Sequence, residues 1–133
     1  LILPLAEGDF YVKKIENIVH EFRVHVFKKL CIRIGIKRPK ENAHPWIKTH
    51  SKGWFIDYGL FCQENLVKGI RHIAKKAVTA LNYNFGAVDV GLLTTGKPLV
   101  FEVNSAPGLD NENTAKAYAK HILETLNGGH NIF

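Results

Sequence analysis

The sequence predicts an α+β fold, with a largely antiparallel sheet and its helices packed on one side of that sheet. Residues 21–26 and 31–37 alternate apolar and polar side chains, as the half-buried strands of a hairpin do. Residues 63–82 and 111–127 repeat their apolar side chains with the period of amphipathic helices. A second hairpin lies between these two helices, and this order of elements favours an antiparallel sheet.

The first half of the chain is predicted to supply strands and one long loop. Residues 10–15 are predicted to form a short strand, and residues 27–30 the turn of the first hairpin, although neither Gly nor Asn marks that turn. Residues 39–53 form a polar loop punctuated by Pro and Gly, followed by a short strand at residues 54–57. In the second strand of the hairpin three side chains are expected to face the core, opposite Arg33 and Lys37: Ile32, Ile34 and Ile36.

Both predicted helices have one apolar face. In the helix at residues 63–82 the apolar stripe consists of Leu66, Ile70, Ile73, Ala74, Ala77, Val78 and Leu81. Its outer side is basic and is expected to face solvent, with Lys68, Arg71, His72, Lys75 and Lys76. The final helix ends at Gly128-Gly129, and its stripe consists of Ala115, Tyr118, Ala119, Ile122 and Leu126.

The composition of the chain is typical of a globular protein without a membrane-spanning segment. With 133 residues, of which 46% are hydrophobic and 23% charged, the chain is expected to form one globular domain. No apolar run approaches the length of a membrane span, which argues against a membrane partner. Cys31 and Cys62 lie far apart without a CxxC spacing, so we expect buried, reduced thiols and a cytoplasmic location.

The chain is basic, with a formal net charge of +6. Such a balance is typical of nucleic-acid-binding proteins and of proteins that bind an anionic small molecule such as ATP. Here the basic residues are spread along the chain and are not interleaved with aromatic residues on a sheet. Their distribution therefore argues against dedicated nucleic-acid binding.

The second hairpin, within residues 86–109, carries the clearest candidate site. A two-residue turn at Thr95-Gly96 would pair Asp89 with Glu102, and it would also pair Val88 with Val103 and Val90 with Phe101. Because side chains alternate along a strand, Asn104 would share one face with both acids. A shift of one residue in the turn would abolish this arrangement, since every side chain would change face.

The three polar side chains of this face suit a divalent metal ion. Two neighbouring carboxylates repel each other unless a cation lies between them. Mg²⁺ and Mn²⁺ accept such oxygen ligands and leave positions for water and phosphate. The alternative is an ordinary solvent-exposed polar face. The sequence Ser-Ala-Pro-Gly ends the strand just beyond Asn104, and functional side chains are common where a strand gives way to a loop.

Two segments carry a family resemblance. FEVNSAPGL, at residues 101–109, resembles the C-terminal signature of ATP-grasp enzymes, which is a hydrophobic residue, Glu, a hydrophobic residue, Asn, two residues and Pro-Gly. HEFRVHVF, at residues 20–27, resembles a strand of the ligase branch that includes the glutamate ligases acting on ribosomal proteins. The resemblance covers residues 9–125 and implies the C-terminal subdomain of an ATP-grasp unit.

The resemblance also implies ligands and roles. Asp89, Glu102 and Asn104 would hold the Mg²⁺ (or Mn²⁺) ions that bridge the phosphates of ATP. Arg23 would approach the phosphates and an acyl phosphate intermediate, a role that a planar guanidinium in the middle of a strand suits. The alternative for Arg23 is an ion pair with Glu21 or Glu16.

Further residues are implied around the nucleotide. Either Lys37 or Arg38 would lie near the transferred phosphate; strand alternation favours Lys37, and the choice stays open. The segment Tyr11-Val12-Lys13 resembles the strand on which ATP-grasp proteins hold adenine through backbone hydrogen bonds. His25 shares the face of Arg23, but a solitary histidine is more often incidental to a site.

The function implied is that of an ATP-dependent carboxylate–amine ligase, with ATP, a carboxylate and an amine (an amino acid or peptide) as partners. Residues 1–133 would form a single catalytic subdomain of a longer protein, completed by an N-terminal part or by a homo-oligomer. Two other classes remain open. One is a non-catalytic nucleotide-binding or interaction module, and the other is a basic nucleic-acid-binding domain.

Overall fold

The computed structural model describes residues 7–8, 10–59 and 64–128, and within them it confirms the α+β class. The elements, in chain order, are β1 (Ile18–Phe27), β2 (Leu30–Pro39), β3 (Trp54–Asp57), α1 (Glu64–Ala80), β4 (Phe85–Leu93), β5 (Pro98–Asn104) and α2 (Glu112–Asn127), with a short 3₁₀ turn at His50–Lys52. No helix among the described residues is both long enough and apolar enough to cross a membrane.

The five strands form one antiparallel sheet in the order β3-β2-β1-β4-β5. The central strand β1 divides the molecule into two faces because its side chains alternate. Phe22, Val24 and Val26 are fully buried on one face, which we call the apolar face. Arg23 and His25 point to the other, which we call the polar face.

Helix α1 covers the apolar face. Its residues Ile70, Ala74 and Val78 pack against the inward side chains of β1, β2 and β4, as the helical period predicts. Leu81, which the sequence places in the same stripe, follows the end of the helix and is half exposed. Two residues named in the predictions for this region, Cys62 and residue 63, lie outside the described residues.

The predicted strand at residues 10–15 is wrong, because these residues adopt no regular secondary structure. Phe10, Tyr11 and Val12 are all exposed, so this segment buries too little apolar surface to stabilise a strand. Sheet pairing begins only after Asn17, which has a positive φ of 62°.

The first hairpin closes at Lys28-Lys29, with φ values of 45° and 68°. Two consecutive positive φ angles are those of the tight hairpin turn that Asn-Gly ordinarily makes. A register shift between His25 and Val26 then changes which residues of β2 face the core. Ile34 and Ile36 pack there as predicted, but Cys31 takes the position predicted for Ile32 and is only partly buried.

In the second hairpin two irregularities offset each other. The turn is one residue longer than predicted: Gly96, at a φ of 83°, follows Thr94 and Thr95, and the Leu93 amide donates to the Lys97 carbonyl. Val90 therefore pairs with Val100, and the predicted pair with Phe101 is wrong. A bulge at Phe101 restores the register, so Asp89 lies opposite Glu102, and Val88 lies opposite Val103, as predicted.

Helix α2 corrects the expectation that both helices lie on one side of the sheet. It packs on the polar face, where Tyr118 is hydrogen bonded to His25 and His121 lies against the ring of Phe27. Its predicted apolar stripe is wrong beyond Tyr118, since Ile122 and Leu126 are 40% and 59% exposed. A helix on a polar surface buries its polar and aromatic side chains, which a search for apolar periodicity does not reveal.

Candidate functional site

A cleft of about 680 Å³ lies on the polar face of the sheet. Neighbouring strands contribute Arg23, Lys37, Asp89 and Glu102 to its lining. The walls come from β3 and the end of the long loop before it, and from residues 108–111 before α2. The sheet therefore brings together four of the side chains that the sequence singled out.

The carboxylate of Asp89 accepts three hydrogen bonds within the cleft. It is buried, and it accepts two hydrogen bonds from Arg23, which lies opposite it on β1, at 2.8 and 3.0 Å. The ammonium of Lys37 donates a third at 3.0 Å. Burial alone would raise the pKa of Asp89, but the Arg23 hydrogen bonds and the Lys37 charge hold it below its usual value. Arg23 thus pairs with Asp89, and not with Glu21 or Glu16.

The ion pairs continue along the cleft beyond Asp89. The Glu21 carboxylate contacts Lys37 at 3.3 Å and Lys48 at 3.0 Å, and all three side chains are largely buried. Lys48 also lies 5.1 Å from the centre of the Trp54 ring. The sequence pattern does not predict Lys48 or Glu21 as part of the site, because a loop without periodicity does not indicate which strand its lysines contact.

Glu102 and Asn104 occupy the predicted face of β5. Glu102 is exposed at the cleft, and no ion pair or side-chain hydrogen bond engages it among the described residues. The Asn104 side-chain oxygen accepts a hydrogen bond from the Ala106 amide at 2.9 Å, which shapes the exit from β5. Within the described part of the chain, no three His, Cys, Asp or Glu side chains lie close enough to hold a metal ion by themselves.

The other candidate residues lie outside the cleft. Arg38 donates to Asp57 at 2.7 Å on an exposed part of the sheet, so of the two basic candidates Lys37 is the one that lines the cleft. Tyr11, Val12 and Lys13 lie in the irregular segment before β1 and do not line it.

A buried histidine supports the cleft wall. His25 is 1% exposed, and its two ring nitrogens lie 2.9 Å from the hydroxyls of Tyr118 and Tyr58. Burial, together with the charges of Arg23 and Arg33, lowers the pKa of His25 to about 4. The imidazole is therefore neutral near pH 7, and it fixes Tyr58, which lines the cleft.

The fold is similar to that of solved ligases. D-alanine–D-alanine ligase from Bacillus anthracis superposes with a TM-score of 0.61 at 19% identity, over 88% of this chain and 38% of that chain. The macrocyclase MdnC from Microcystis aeruginosa, bound with the precursor peptide MdnA, superposes with a TM-score of 0.53 at 13% identity, over 84% of this chain and 34% of the macrocyclase. A RiPP-associated ATP-grasp ligase from Chryseobacterium gregarium, in complex with ADP and a leader and core peptide, superposes with a TM-score of 0.50 at 14% identity, over 82% of this chain and 34% of that ligase.

Sequence comparison adds no relative. No family model matches the chain, and no curated protein matches it. The chain also spans less than two fifths of the length of each of these solved ligases. Identities this low describe a shared fold and do not by themselves transfer a reaction.

Proposed function

Because the chain has the ATP-grasp fold, consistent with a C-terminal subdomain, we propose that it is the metal- and phosphate-binding part of an ATP-dependent carboxylate–amine ligase. One observation carries the proposal. Asp89 and Glu102 lie opposite each other on neighbouring strands, with Asn104 on the same face, and the cations Arg23 and Lys37 line the same cleft.

The donor set fits a hard metal ion, with one condition. Among the described residues no ion pair or side-chain hydrogen bond engages Glu102, and Asn104 retains a lone pair, but both oxygens of Asp89 already accept from Arg23 and Lys37. Mg²⁺ or Mn²⁺ held by these three residues would therefore compete with Lys37 for Asp89. The ion would neutralise charge on the phosphates of ATP.

The proposed roles of the cations follow from their positions. In the reaction a substrate carboxylate oxygen attacks the γ-phosphorus of ATP, ADP leaves, and an acyl phosphate forms. An amine then attacks the acyl carbon, releasing phosphate and forming an amide. Arg23 and Lys37 would stabilise the negative charge that accompanies phosphoryl transfer. An ion at Asp89 would release Lys37 from that carboxylate, while its contact with Glu21 would keep the ammonium group beside the cleft.

The substrate class is proposed from the fold neighbours. Bacillus anthracis D-alanine–D-alanine ligase has also been solved with ATP, and the ligase PsnB with a minimal precursor, Mg and ADP. MdnC was solved with a precursor peptide. We therefore propose ATP with Mg²⁺, and an amino acid or peptide as carboxylate and amine. The branch of glutamate ligases, the adenine contact at Tyr11, Val12 and Lys13, and a role for residues 1–133 as one subdomain of a longer protein remain predictions.

The first test measures metal binding directly. Mn²⁺ titrated into the protein with ADP, followed by electron paramagnetic resonance, is expected to bind about tenfold or more weakly after Glu102→Gln. This change keeps the shape of a side chain that forms no ion pair, so the fold should persist. The control is Glu112→Gln, at an exposed residue of α2, which is expected to leave Mn²⁺ affinity unchanged. Equal affinity in both variants would contradict the metal site.

A second measurement separates a ligase from a binding module. The protein, supplied with Mg-ATP and mixed amino acids or peptides, is expected to release ADP in a reaction that Glu102→Gln abolishes. Binding of Mg-ADP without any ADP release from ATP would instead favour the non-catalytic nucleotide-binding module.

A further inference from the structure

The cleft does not account for the positive charge of the chain. The described residues of its lining carry equal numbers of cationic and anionic side chains, namely Arg23, Lys37 and Lys48 against Asp89, Glu102 and Asp110. Glu21 pairs with two of these cations and lowers the local charge further. The formal net charge is nevertheless +6, so the excess lies elsewhere on the surface.

Much of this excess lies on the outer side of α1. Four cations and one histidine there fall within one sector of the helix, and Lys29 from the β1–β2 turn adjoins them. We call this surface the basic face, which consists of Lys29, Lys68, Arg71, His72, Lys75 and Lys76. From Lys68 to Lys76 it extends about 12 Å along the helix axis. Because α1 covers the apolar face of the sheet, the basic face points away from the cleft.

Little negative charge offsets the basic face. Glu64, at the start of α1, lies 3.5 Å from Arg71, and both side chains are substantially exposed. Among the described residues no ion pair engages Lys29, Lys68 or Lys76. Like charges this close raise the free energy of the folded chain, and a bound anion would relieve that cost.

The basic face also contains a concavity. A hollow of about 460 Å³ is lined by Lys29, His72, Lys75 and Lys76, together with the small residues Thr79 and Ala80 at the end of α1. The small side chains and the aliphatic stems of the lysines provide an apolar surface beneath the charged groups. The hollow can therefore accept a carboxylate together with the methylene groups that carry it.

Two features favour an acidic peptide over a nucleic acid. Among the described residues no Phe, Tyr or Trp lines the hollow, and the imidazole of His72 is its only ring, so the run of aromatic side chains on which successive bases stack is missing there. The length of the basic face also matches only three or four residues of an extended peptide. We propose that the basic face is a docking surface for an acidic, Glu- or Asp-rich segment of a partner protein, separate from the cleft.

The test uses an oligo-glutamate peptide as the probe. Calorimetric titration is expected to show binding that weakens as salt rises, since ionic screening shortens the range of these charges. The double variant Lys75→Glu/Lys76→Glu is expected to bind at least about tenfold more weakly. Its matched control, Lys97→Glu/Lys120→Glu, changes the net charge equally at exposed sites outside the basic face and is expected to change affinity less than about twofold.

Several outcomes would overturn the proposal. One is an equal loss in both double variants, which would indicate a response to net charge alone. Another is tighter binding of an oligothymidylate of the same net charge, which would assign the surface to nucleic acid. The neutral pair Lys75→Gln/Lys76→Gln, checked by circular dichroism, keeps the test valid if charge reversal disturbs folding. If the folded Lys75→Gln/Lys76→Gln variant bound the oligo-glutamate peptide as tightly as the unchanged protein does, that result would also contradict the proposal. The Mn²⁺ measurement is independent, because it reports on the opposite face of the sheet.

Discussion

His25 shows how one residue can make stability depend on pH. Its ring is enclosed by Tyr58 and Tyr118, so a proton added to it would introduce an unpaired charge between two hydroxyls and near two guanidinium groups. In the neutral imidazole one nitrogen donates and the other accepts, and each tyrosine hydroxyl can serve either partner. A protonated ring could still donate to both hydroxyls, so the cost of protonation is that of a charge buried near Arg23 and Arg33.

We predict that stability falls as the pH decreases from about 6.5 to about 4. In the unfolded chain His25 binds a proton near its ordinary pKa of 6.5, whereas in the folded chain its pKa is about 4. The contribution of neutral His25 to the free energy of unfolding is therefore fully present above pH 6.5. It is lost as the pH falls through this interval, which lowers the free energy of unfolding by about 3 kcal/mol. Urea unfolding followed by tryptophan fluorescence at several pH values measures it.

His25→Gln is expected to remove this slope, because an amide does not titrate. His20→Gln, at an exposed position, serves as the control and should retain it. An unchanged slope in His25→Gln would assign the pH dependence to other groups. Asp89 acts in a different interval, since its lowered pKa makes stability fall only below pH 3.8.

At the scale of single residues, alternation along strands predicted much of the site. It placed Arg23, Lys37 and His25 on one face of the sheet, and the structure confirms that placement. It did not predict that Arg23 binds Asp89, since the order of strands in the sheet decides which residues lie opposite each other. Lys48 was missed because it reaches the site from a loop without periodicity.

At the scale of elements, the β1–β2 turn carries backbone strain. Lys28 and Lys29 both have left-handed φ angles, which cost a non-glycine residue about 1 kcal/mol or more. We predict that Lys29→Gly stabilises the protein by about 1 kcal/mol, since relief of this strain exceeds the greater flexibility of glycine in the unfolded chain. A thermal melt followed by circular dichroism measures the change.

The opposite sign is expected where the backbone is helical. Lys68→Gly, on the exposed side of α1, should destabilise the protein by about 1 kcal/mol because glycine is a poor helix former. If both glycine variants lost stability, the turn would not carry the strain that its φ angles indicate.

The elements themselves were largely predictable, and their contacts were less so. Helical periodicity predicted α1 and its buried side, because that side meets an apolar sheet face. The same reasoning correctly included Tyr118 of α2, but it missed the buried Thr114 and wrongly included Ile122 and Leu126, because this helix packs on a polar surface. The β-bulges were also unpredicted, since an extra residue in a strand leaves the pattern of residue types nearly unchanged.

At the scale of the whole molecule, the long loop before β3 is joined to the sheet through charge. Glu21 holds Lys48 from the loop and Lys37 from β2, and each of these side chains is at most 18% exposed. Both tryptophans of the chain, Trp46 and Trp54, lie in or next to this loop. The loop and the cleft floor therefore share one network of ion pairs.

We predict that Glu21→Gln loosens the loop without unfolding the sheet. Removing the carboxylate charge leaves two lysines side by side, so residues 43–49 should exchange their amide hydrogens about tenfold faster or more. Hydrogen exchange with mass spectrometry measures this, and α1 should be unaffected. The control is Glu112→Gln, whose ion pair with Lys116 is exposed and should contribute little. Unchanged loop exchange in Glu21→Gln would show that other contacts hold the loop.

The turn and the bulge of the second hairpin impose a joint constraint on how this sequence can vary. The three-residue turn moves the register by one residue, and the extra residue at Phe101 moves it back before the strand reaches Glu102. Losing either irregularity alone would turn Glu102 to the other face and separate it from Asp89. An insertion or deletion in this turn is therefore tolerable only with a compensating change near Phe101, so the two positions should be gained or lost together.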